Sequence, residues 1–181
     1  MNANHALQID IVASEDLDES LRNELLALCS AAYEEDFSPF LDLLHPATHL
    51  LGRIDGELIS HAAWVERELR AGTGGALRTA YVEAVATLPA HQGRGYASEL
   101  LRSIPPLLGD YAIAALSPSA DAYYRRLGWE LWLGPLSYVD RDGTEIPTPG
   151  EEVMIHRLPH TPPSLDLHAP LSTDWRPGDV W

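Results

Sequence analysis

The segment from Tyr81 to Ala97 restricts the fold more than any other part of this 181-residue chain. It reads YVEAVATLPAHQGRGYA, so an apolar, strand-like stretch with one carboxylate, Glu83, runs into a glycine-rich turn. An apolar helical pattern follows, with Leu100, Leu101 and Ile104 on one face. The first N–H groups of a helix lack partners within it, and glycine leaves them accessible. We therefore predict a strand, an open turn and a helix whose positive end suits a phosphate-bearing acyl carrier.

The charge of the chain restricts its partners. A net charge of −15 and a pI near 4.7 repel phosphate backbones and anionic lipid, which argues against nucleic-acid and membrane partners. The same charge attracts cationic small molecules, although acidity can also serve solubility alone. Cys29 is the single cysteine, which excludes an intramolecular disulfide. The histidines show no metal-ligand spacing, so we expect no metal. No segment reaches the ~18 apolar residues of a membrane span, and the N-terminus lacks the basic and apolar regions of a secretory signal, so we expect a cytoplasmic setting.

Hydrophobic periodicity predicts a single α/β domain over residues 1–181, with a tail from residue 159. Helices are predicted over 18–33, 95–104 and 117–127, and Phe37–Thr48 is a short helix or a loop. Predicted strands are Leu7–Val12, His49–Ile54, Leu58–Leu69, Arg78–Leu88, Tyr111–Leu116, Trp129–Leu133 and Val153–Leu158. Asp55-Gly56 predicts a hairpin between the second and third of these strands. Pro105-Pro106 should end the second main helix near Ile104, and Ser117-Pro118 should cap the third.

Two motifs resemble those of the GNAT N-acetyltransferase superfamily. Gln92–Ala97 fits the pattern Q-x-x-G-x-A, and Tyr124–Trp129 lies in a segment similar to Y-x-x-x-G-[FW]. The resemblance implies acetyl-coenzyme A as cofactor and a mixed, mostly antiparallel sheet flanked by helices. That sheet would be split between the two cofactor-binding strands, the first of them bent by a bulge. The implied cofactor-binding residues are Val85, Ala86, Thr87, Gln92, Gly93, Arg94, Gly95, Tyr96 and Ala97.

Acetyl transfer to an amine needs a base for the ammonium proton and an acid for the leaving thiolate. Glu83 lies on the cofactor strand and is the candidate base, directly or through water; alternatively it is a solvent-facing strand residue. The resemblance assigns the acid to Tyr124, whose spacing to Gly128 favours it over Tyr123. A packing tyrosine is the alternative.

The last eight residues, DWRPGDVW, look like the C-terminus of aminoglycoside 2′-N-acetyltransferases. The segments Gly56–Ala63, Tyr81–Glu83 and Leu116-Ser117 are similar too. In that family the chain end returns to line a pocket for a cationic sugar. The implied substrate-binding residues are Asp36, Glu83, Ser117, either Glu151 or Glu152, Asp179 and the terminal carboxylate of Trp181. Asp42 is the nearest match to one further acid.

Other amines fit the same chemistry, among them kasugamycin, a polyamine or a peptide N-terminus. A catalytically silent acyl-coenzyme A or cation-binding module is the alternative outside enzymes. Members of the family often form dimers, so a homodimer stays open, although the sequence shows no apolar stripe that we assign to an interface.

Overall fold

The structure is a computed structural model that describes residues 6–181. The α-helices are α1 (Glu19–Tyr33), α2 (Ser38–Leu43), α3 (Tyr96–Ser103) and α4 (Asp121–Arg125). The strands are β1 (Gln8–Ala13), β2 (Ala47–Ile54), β3 (Glu57–Ala71), β4 (Ala76–Thr87), β5 (Ile113–Leu116), β6 (Glu130–Leu131), β7 (Leu136–Val139), β8 (Glu145–Pro147), β9 (Met154–Arg157) and β10 (Leu171–Asp174). The predicted fold class is confirmed, because the strands form a curled, mostly antiparallel sheet with flanking helices.

The chain divides into two compact units. The first runs to Val65 and includes Val82–Ile104; the second contains Glu66–Tyr81 and Pro105–Trp181. The long strands β3 and β4 therefore contribute residues to both units. The single-domain organisation stays a prediction.

In the first unit, β1 and β2 pair antiparallel, and β2 pairs antiparallel with the first part of β3. The Asp55-Gly56 turn between β2 and β3 has positive φ at both residues, 50° and 86°, which confirms the predicted hairpin. Helix α1 begins at an Asp18 cap that accepts a hydrogen bond from the Leu21 N–H at 2.8 Å. Its apolar face buries Leu25, Leu28 and Cys29, the core of this unit.

A pair of histidines is enclosed in this core. His49 on β2 and His61 on β3 have no exposed surface, and His49 Nδ1 lies 3.0 Å from His61 Nε2. Burial lowers the pKa of His49 to about 4. Burial, and second the positive charge that His49 would carry, lower the pKa of His61 to about 3. Both rings are therefore neutral at physiological pH.

In the second unit, β4 pairs parallel with β5, and β5 and β6 pair antiparallel with β9. The end of β3 pairs antiparallel with β10, which runs parallel to β7, and β8 follows as a hairpin strand. The ladder between β4 and β5 ends at Tyr81 and Ala115 although β4 continues to Thr87. Pairing with β5 thus stops two residues before Glu83.

Several boundaries differ from the sequence predictions. The helix expected from Ser117 begins only at Asp121, after an Ala120 cap, so Ser117 as a helix cap is wrong. Pro118 disfavours helical backbone at the residue before it, and the chain stays irregular for three more residues. The stop near Ile104 is confirmed, because Pro105–Leu107 forms a separate 3₁₀ turn. Strands β7, β8 and β10 were not predicted.

The end of the chain packs within the second unit. Trp181 is 6% exposed and donates from Nε1 to the Thr148 hydroxyl at 2.8 Å. Trp175 lies under the Arg141 guanidinium, 3.6 Å from ring centroid to Cζ. Within residues 6–181 we find no helix with the length and apolar character needed to cross a bilayer.

Acid should destabilise the fold well above the pH at which carboxylates titrate. Below about pH 6.5 the unfolded chain takes up protons on both histidines, whereas the folded rings stay neutral to about pH 4 and pH 3. The free energy of unfolding should therefore fall as the pH falls from 6.5 to 4. Urea denaturation across this range measures it, with His168→Gln, an exposed histidine, as control. A flat profile in this window contradicts the prediction.

Trp181→Ala should lower the free energy of unfolding by about 3 kcal/mol, because a buried ring and its hydrogen bond to Thr148 are lost. Urea denaturation measures the loss, and Leu133→Ala is the control, since Leu133 is 56% exposed and should change stability by less than about 0.5 kcal/mol. Equal effects of the two substitutions would contradict an ordered chain end.

Candidate active site

The glycine-rich turn of the first unit presents open backbone. Gly93 and Gly95 have φ values of 72° and 91°, and a Cβ added at either residue would meet no atom within 4 Å. Gly95 is the N-cap of α3, and no side chain caps the first N–H groups of that helix. Gln92 Nε2 donates to the Thr87 carbonyl at 3.1 Å, which ties the turn to the end of β4. The turn can therefore receive an anionic group at the positive end of α3.

Strand β4 is bent beside Glu83. Ala84 has a φ of 52°, a left-handed conformation that is unfavourable for alanine. The resemblance predicts a bulge in the cofactor strand, and the left-handed Ala84 is a local irregularity of that strand. Glu83 itself is half-buried, between the buried Val82 and the bent residue.

Three successive carbonyls of β4 accept hydrogen bonds from side chains. His61 Nδ1 lies 2.9 Å from the Ala84 oxygen, the Tyr33 hydroxyl donates to Val85 at 3.0 Å, and the Ser60 hydroxyl donates to Ala86 at 3.0 Å. Side chains from α1 and β3 thus hold the backbone that the resemblance assigns to the cofactor. Sequence reasoning missed Tyr33 and Ser60 in this role, and no local motif identifies them.

Besides Glu83, two acids of the first unit are candidates for binding substrate, Asp36 and Asp42. Asp36 is exposed between α1 and α2 and accepts hydrogen bonds from the hydroxyl and the N–H of Ser38. These bonds hold the pKa of Asp36 below its ordinary value, so its carboxylate is ionised at neutral pH. Asp42 instead forms an ion pair with Arg22, which offsets its charge.

In the second unit, Ser117 contacts a tyrosine instead of capping a helix. Its hydroxyl lies 3.0 Å from that of Tyr81. Two guanidinium groups lie over the Tyr81 ring, with Arg67 Cζ 4.5 Å and Arg176 Cζ 5.8 Å from its centroid. Arg176 also donates to the Asp179 carbonyl at 2.6 Å, which fixes the chain close to its end. Neither arginine was singled out from the sequence.

Tyr124 on α4 is buried, and burial raises the pKa of its hydroxyl; a hydrogen bond with Ser119 acts in the opposite direction. Its ring meets Tyr123 and Trp129 edge-on, at centroid distances of 5.0 and 6.3 Å. These contacts hold the ring in place. A phenol with a raised pKa keeps its proton until a stronger base takes it.

The structure brings some of the remaining predicted residues together. Thr148 links Trp181, through the indole bond, to Glu151, whose N–H donates to the Thr148 carbonyl at 3.3 Å. Glu151, Glu152 and Asp179 are all exposed. The two units contain different parts of the predicted site. The first unit contains Asp36, Glu83 and the nine predicted cofactor residues. The second unit contains Ser117, Tyr124, Glu151, Glu152, Asp179 and Trp181. Between residues 6 and 181, no three His, Cys, Asp or Glu side chains form a metal-ligand set.

Comparison with known proteins places this geometry in a family. Residues 13–132 match the family model of the acetyltransferase (GNAT) domain. The chain is 36% identical over 179 residues to an aminoglycoside 2′-N-acetyltransferase of Mycolicibacterium fortuitum. The aligned region covers 94% of this chain and 90% of the relative.

Solved structures share the fold. The GNAT N-acetyltransferase YhbS of Escherichia coli, in complex with CoA, superposes with a TM-score of 0.62 at 20% identity and covers 97% of this chain and 94% of its own. Eis1 of Mycobacterium abscessus gives 0.58 at 22% identity over 71% of this chain and 33% of its own. A GNAT acetyltransferase of Brucella melitensis with acetyl-CoA gives 0.53 at 21% identity, over 70% and 84%. Together with the family-model match and the open turn before α3, these results show that the chain belongs to the GNAT acetyltransferase family.

Proposed function

We propose that this protein transfers an acetyl group from acetyl-coenzyme A to the 2′-amine of an aminoglycoside. The observation that carries the proposal is the 36% identity, over nearly the whole of both chains, to a relative named for that reaction. The C-terminal motif DWRPGDVW supports the same substrate, and its last residue, Trp181, is buried and hydrogen-bonded to Thr148.

The residues of the first unit fit the cofactor. Bound acetyl-coenzyme A supplies an acetyl group activated as a thioester. The N–H groups of Gly93, Arg94 and Gly95, and those of the first turn of α3, would bind its phosphates, and Arg94 adds a positive charge. Backbone of β4 from Val85 to Thr87 would hold the pantetheine arm, and Gln92, Tyr96 and Ala97 complete the turn.

A polycationic sugar needs several carboxylates around it. Asp36, Asp179, the terminal carboxylate of Trp181 and either Glu151 or Glu152 would bind its ammonium groups, with Ser117 as a neutral hydrogen-bonding partner. Each charge-assisted hydrogen bond contributes about 1.5–3 kcal/mol. The lowered pKa of Asp36 supports its role, because the carboxylate keeps its charge through the neutral range.

Two side chains would carry the protons. Glu83, directly or through a water molecule, would take the proton from the substrate ammonium, and the free amine would attack the thioester carbonyl. The Val85 N–H would stabilise the negative charge that develops on the carbonyl oxygen. Tyr124 would protonate the departing thiolate, and its raised pKa supports this role, since a protonated phenol is what an acid requires.

Acetylation would remove one positive charge from the drug and weaken its attraction to the phosphates of ribosomal RNA. In the cytoplasm, where the ribosome is the target, this loss of charge would confer resistance.

A matched pair of aminoglycosides tests the function. Of two drugs that differ only in an amino or a hydroxyl group at the 2′ position, the 2′-amino compound alone should release CoA thiol at an appreciable rate and yield a 2′-acetamide by mass spectrometry. Kasugamycin, spermidine and a peptide with a free N-terminus complete the panel. Faster turnover of any of these three, or equal rates for the pair, would overturn the 2′-amine assignment.

Glu83→Gln and Tyr124→Phe should each lower kcat by about 10²-fold or more, because each removes a proton-transfer group. Tyr124→Phe should leave the affinity for CoA, measured by calorimetry, within about twofold, since the ring and its packing remain. The matched controls are Tyr123→Phe, one position away, and Glu57→Gln, an exposed carboxylate at the start of β3. Unchanged kcat in both test variants would show that neither residue transfers a proton in the reaction, whereas a silent binding module would bind CoA and give no turnover even as the wild-type protein.

A further inference from the structure

The unfavourable backbone at Ala84 lies beside the proposed base. A left-handed conformation is unfavourable for a residue other than glycine, because its Cβ crowds the neighbouring carbonyl oxygen. Such strain persists only where surrounding contacts hold it. Because Ala84 separates Glu83 from Val85, its conformation sets the direction of the Glu83 side chain and of the Val85 N–H.

The contact that holds Ala84 begins a chain of hydrogen bonds through the core of the first unit. The Ala84 carbonyl lies 2.9 Å from His61 Nδ1, and His61 Nε2 lies 3.0 Å from His49 Nδ1. His49 Nε2 in turn lies 3.1 Å from the Ser14 hydroxyl, which precedes α1. The two imidazole rings stack at a centroid distance of 5.3 Å. The chain therefore connects β1's end to the bend in β4 through two buried side chains.

The proton positions in this chain follow from its ends. A carbonyl oxygen only accepts, so His61 carries its proton on Nδ1, and in a neutral ring Nε2 is then an acceptor. His49 must donate from Nδ1, which leaves its Nε2 to accept from the Ser14 hydroxyl. The Leu44 and Ala47 carbonyls, each 3.1 Å from Ser14 Oγ, compete for that hydroxyl proton. The Cys29 sulfur, 3.8 Å from His61 Nδ1, faces the same ring, and burial raises the pKa of its thiol to about 12.

We propose that His61 and His49 are positioning residues for acetyl transfer: their one-directional hydrogen-bond chain from Ser14 holds the Ala84 carbonyl and so directs Glu83 and the Val85 N–H. The proposal rests on the proposed function for the reaction it serves, but the bond chain itself can be observed without turnover. Burial makes the arrangement specific, because a proton moved from Nδ1 to Nε2 of His61 would face the Nδ1 proton of His49 and would leave the Ala84 carbonyl without its donor.

Kinetics of substituted enzymes test the role. His61→Leu removes the donor to Ala84 at similar volume and should lower kcat at least about tenfold, the usual size of such an outer contact, while KM for the amine changes by less than about twofold. His61→Asn, whose amide can donate to the same carbonyl, should recover part of the loss. Thr79→Val is the control, since Thr79 is equally buried and donates to a carbonyl of the same strand, that of Leu77, at 2.9 Å.

Nuclear magnetic resonance provides a readout that does not depend on activity. ¹⁵N shifts of the imidazole nitrogens should show both rings neutral, with the proton on Nδ1, at pH 7. In His61→Leu the amide resonances of Ala84 and Val85 should shift, and in Thr79→Val they should not. If His61→Leu does not fold, Ser14→Ala, at the half-exposed end of the chain, should reduce kcat in the same direction by a smaller factor.

The outcomes separate the two proposals. A proton on His61 Nε2, or a folded His61→Leu enzyme with unchanged kcat, overturns the positioning role. If the wild-type protein acetylates no amine of the panel, the proposed function fails, while the tautomers and the Val85 amide shift still decide whether the histidines hold the bend. A loss of kcat in Thr79→Val equal to that in His61→Leu reduces the effect to general stability and also overturns the role.

Discussion

The bend at Ala84 is the constraint on which the arrangement of the first unit depends. A regular strand would continue the ladder and keep successive carbonyls in register with a neighbour. Here the ladder with β5 ends at Tyr81. From Ala84 to Ala86 the strand carbonyls instead accept hydrogen bonds from the side chains of His61, Tyr33 and Ser60. Strand β4 is thus held by specific polar contacts beside Glu83 and Val85, the two residues to which the proposed mechanism gives the base and the oxyanion N–H.

Electrostatics divides the protein into a neutral interior and an acidic exterior. The buried histidines are neutral because burial removes the water that would stabilise their positive charge. Asp36 keeps its negative charge because Ser38 donates hydrogen bonds to it at the surface. Against a net charge of −15, exposed carboxylates are plentiful, so charge alone does not select the ones that bind substrate. The local partners of the two candidates differ, because Asp42 forms an ion pair with Arg22 whereas Asp36 is bonded by the neutral Ser38.

Local patterns predicted the elements whose signals lie within a few residues. The Asp55-Gly56 hairpin, the Asp18-capped α1 and the end of α3 before Pro105 depend on turn chemistry, capping and proline sterics. The short strands β7, β8 and β10 were missed because a run of three or four residues is too short to show a periodicity. Ser117-Pro118 also has the pattern of a helix start, but the Ser117 hydroxyl contacts Tyr81 and α4 begins only at Asp121.

By itself the sequence determined the family, the glycine turn, and the identity of Glu83 and Tyr124 as candidates, because these depend on spacing along the chain. Only the tertiary structure decided which distant side chains reach the β4 backbone, that two histidines form one hydrogen-bond chain, and that the last tryptophan is anchored on Thr148. These contacts join residues 12 to 52 positions apart. Their pairing is set by the packing of α1, β2, β3 and β4 and of the chain end, not by any local preference of the residues.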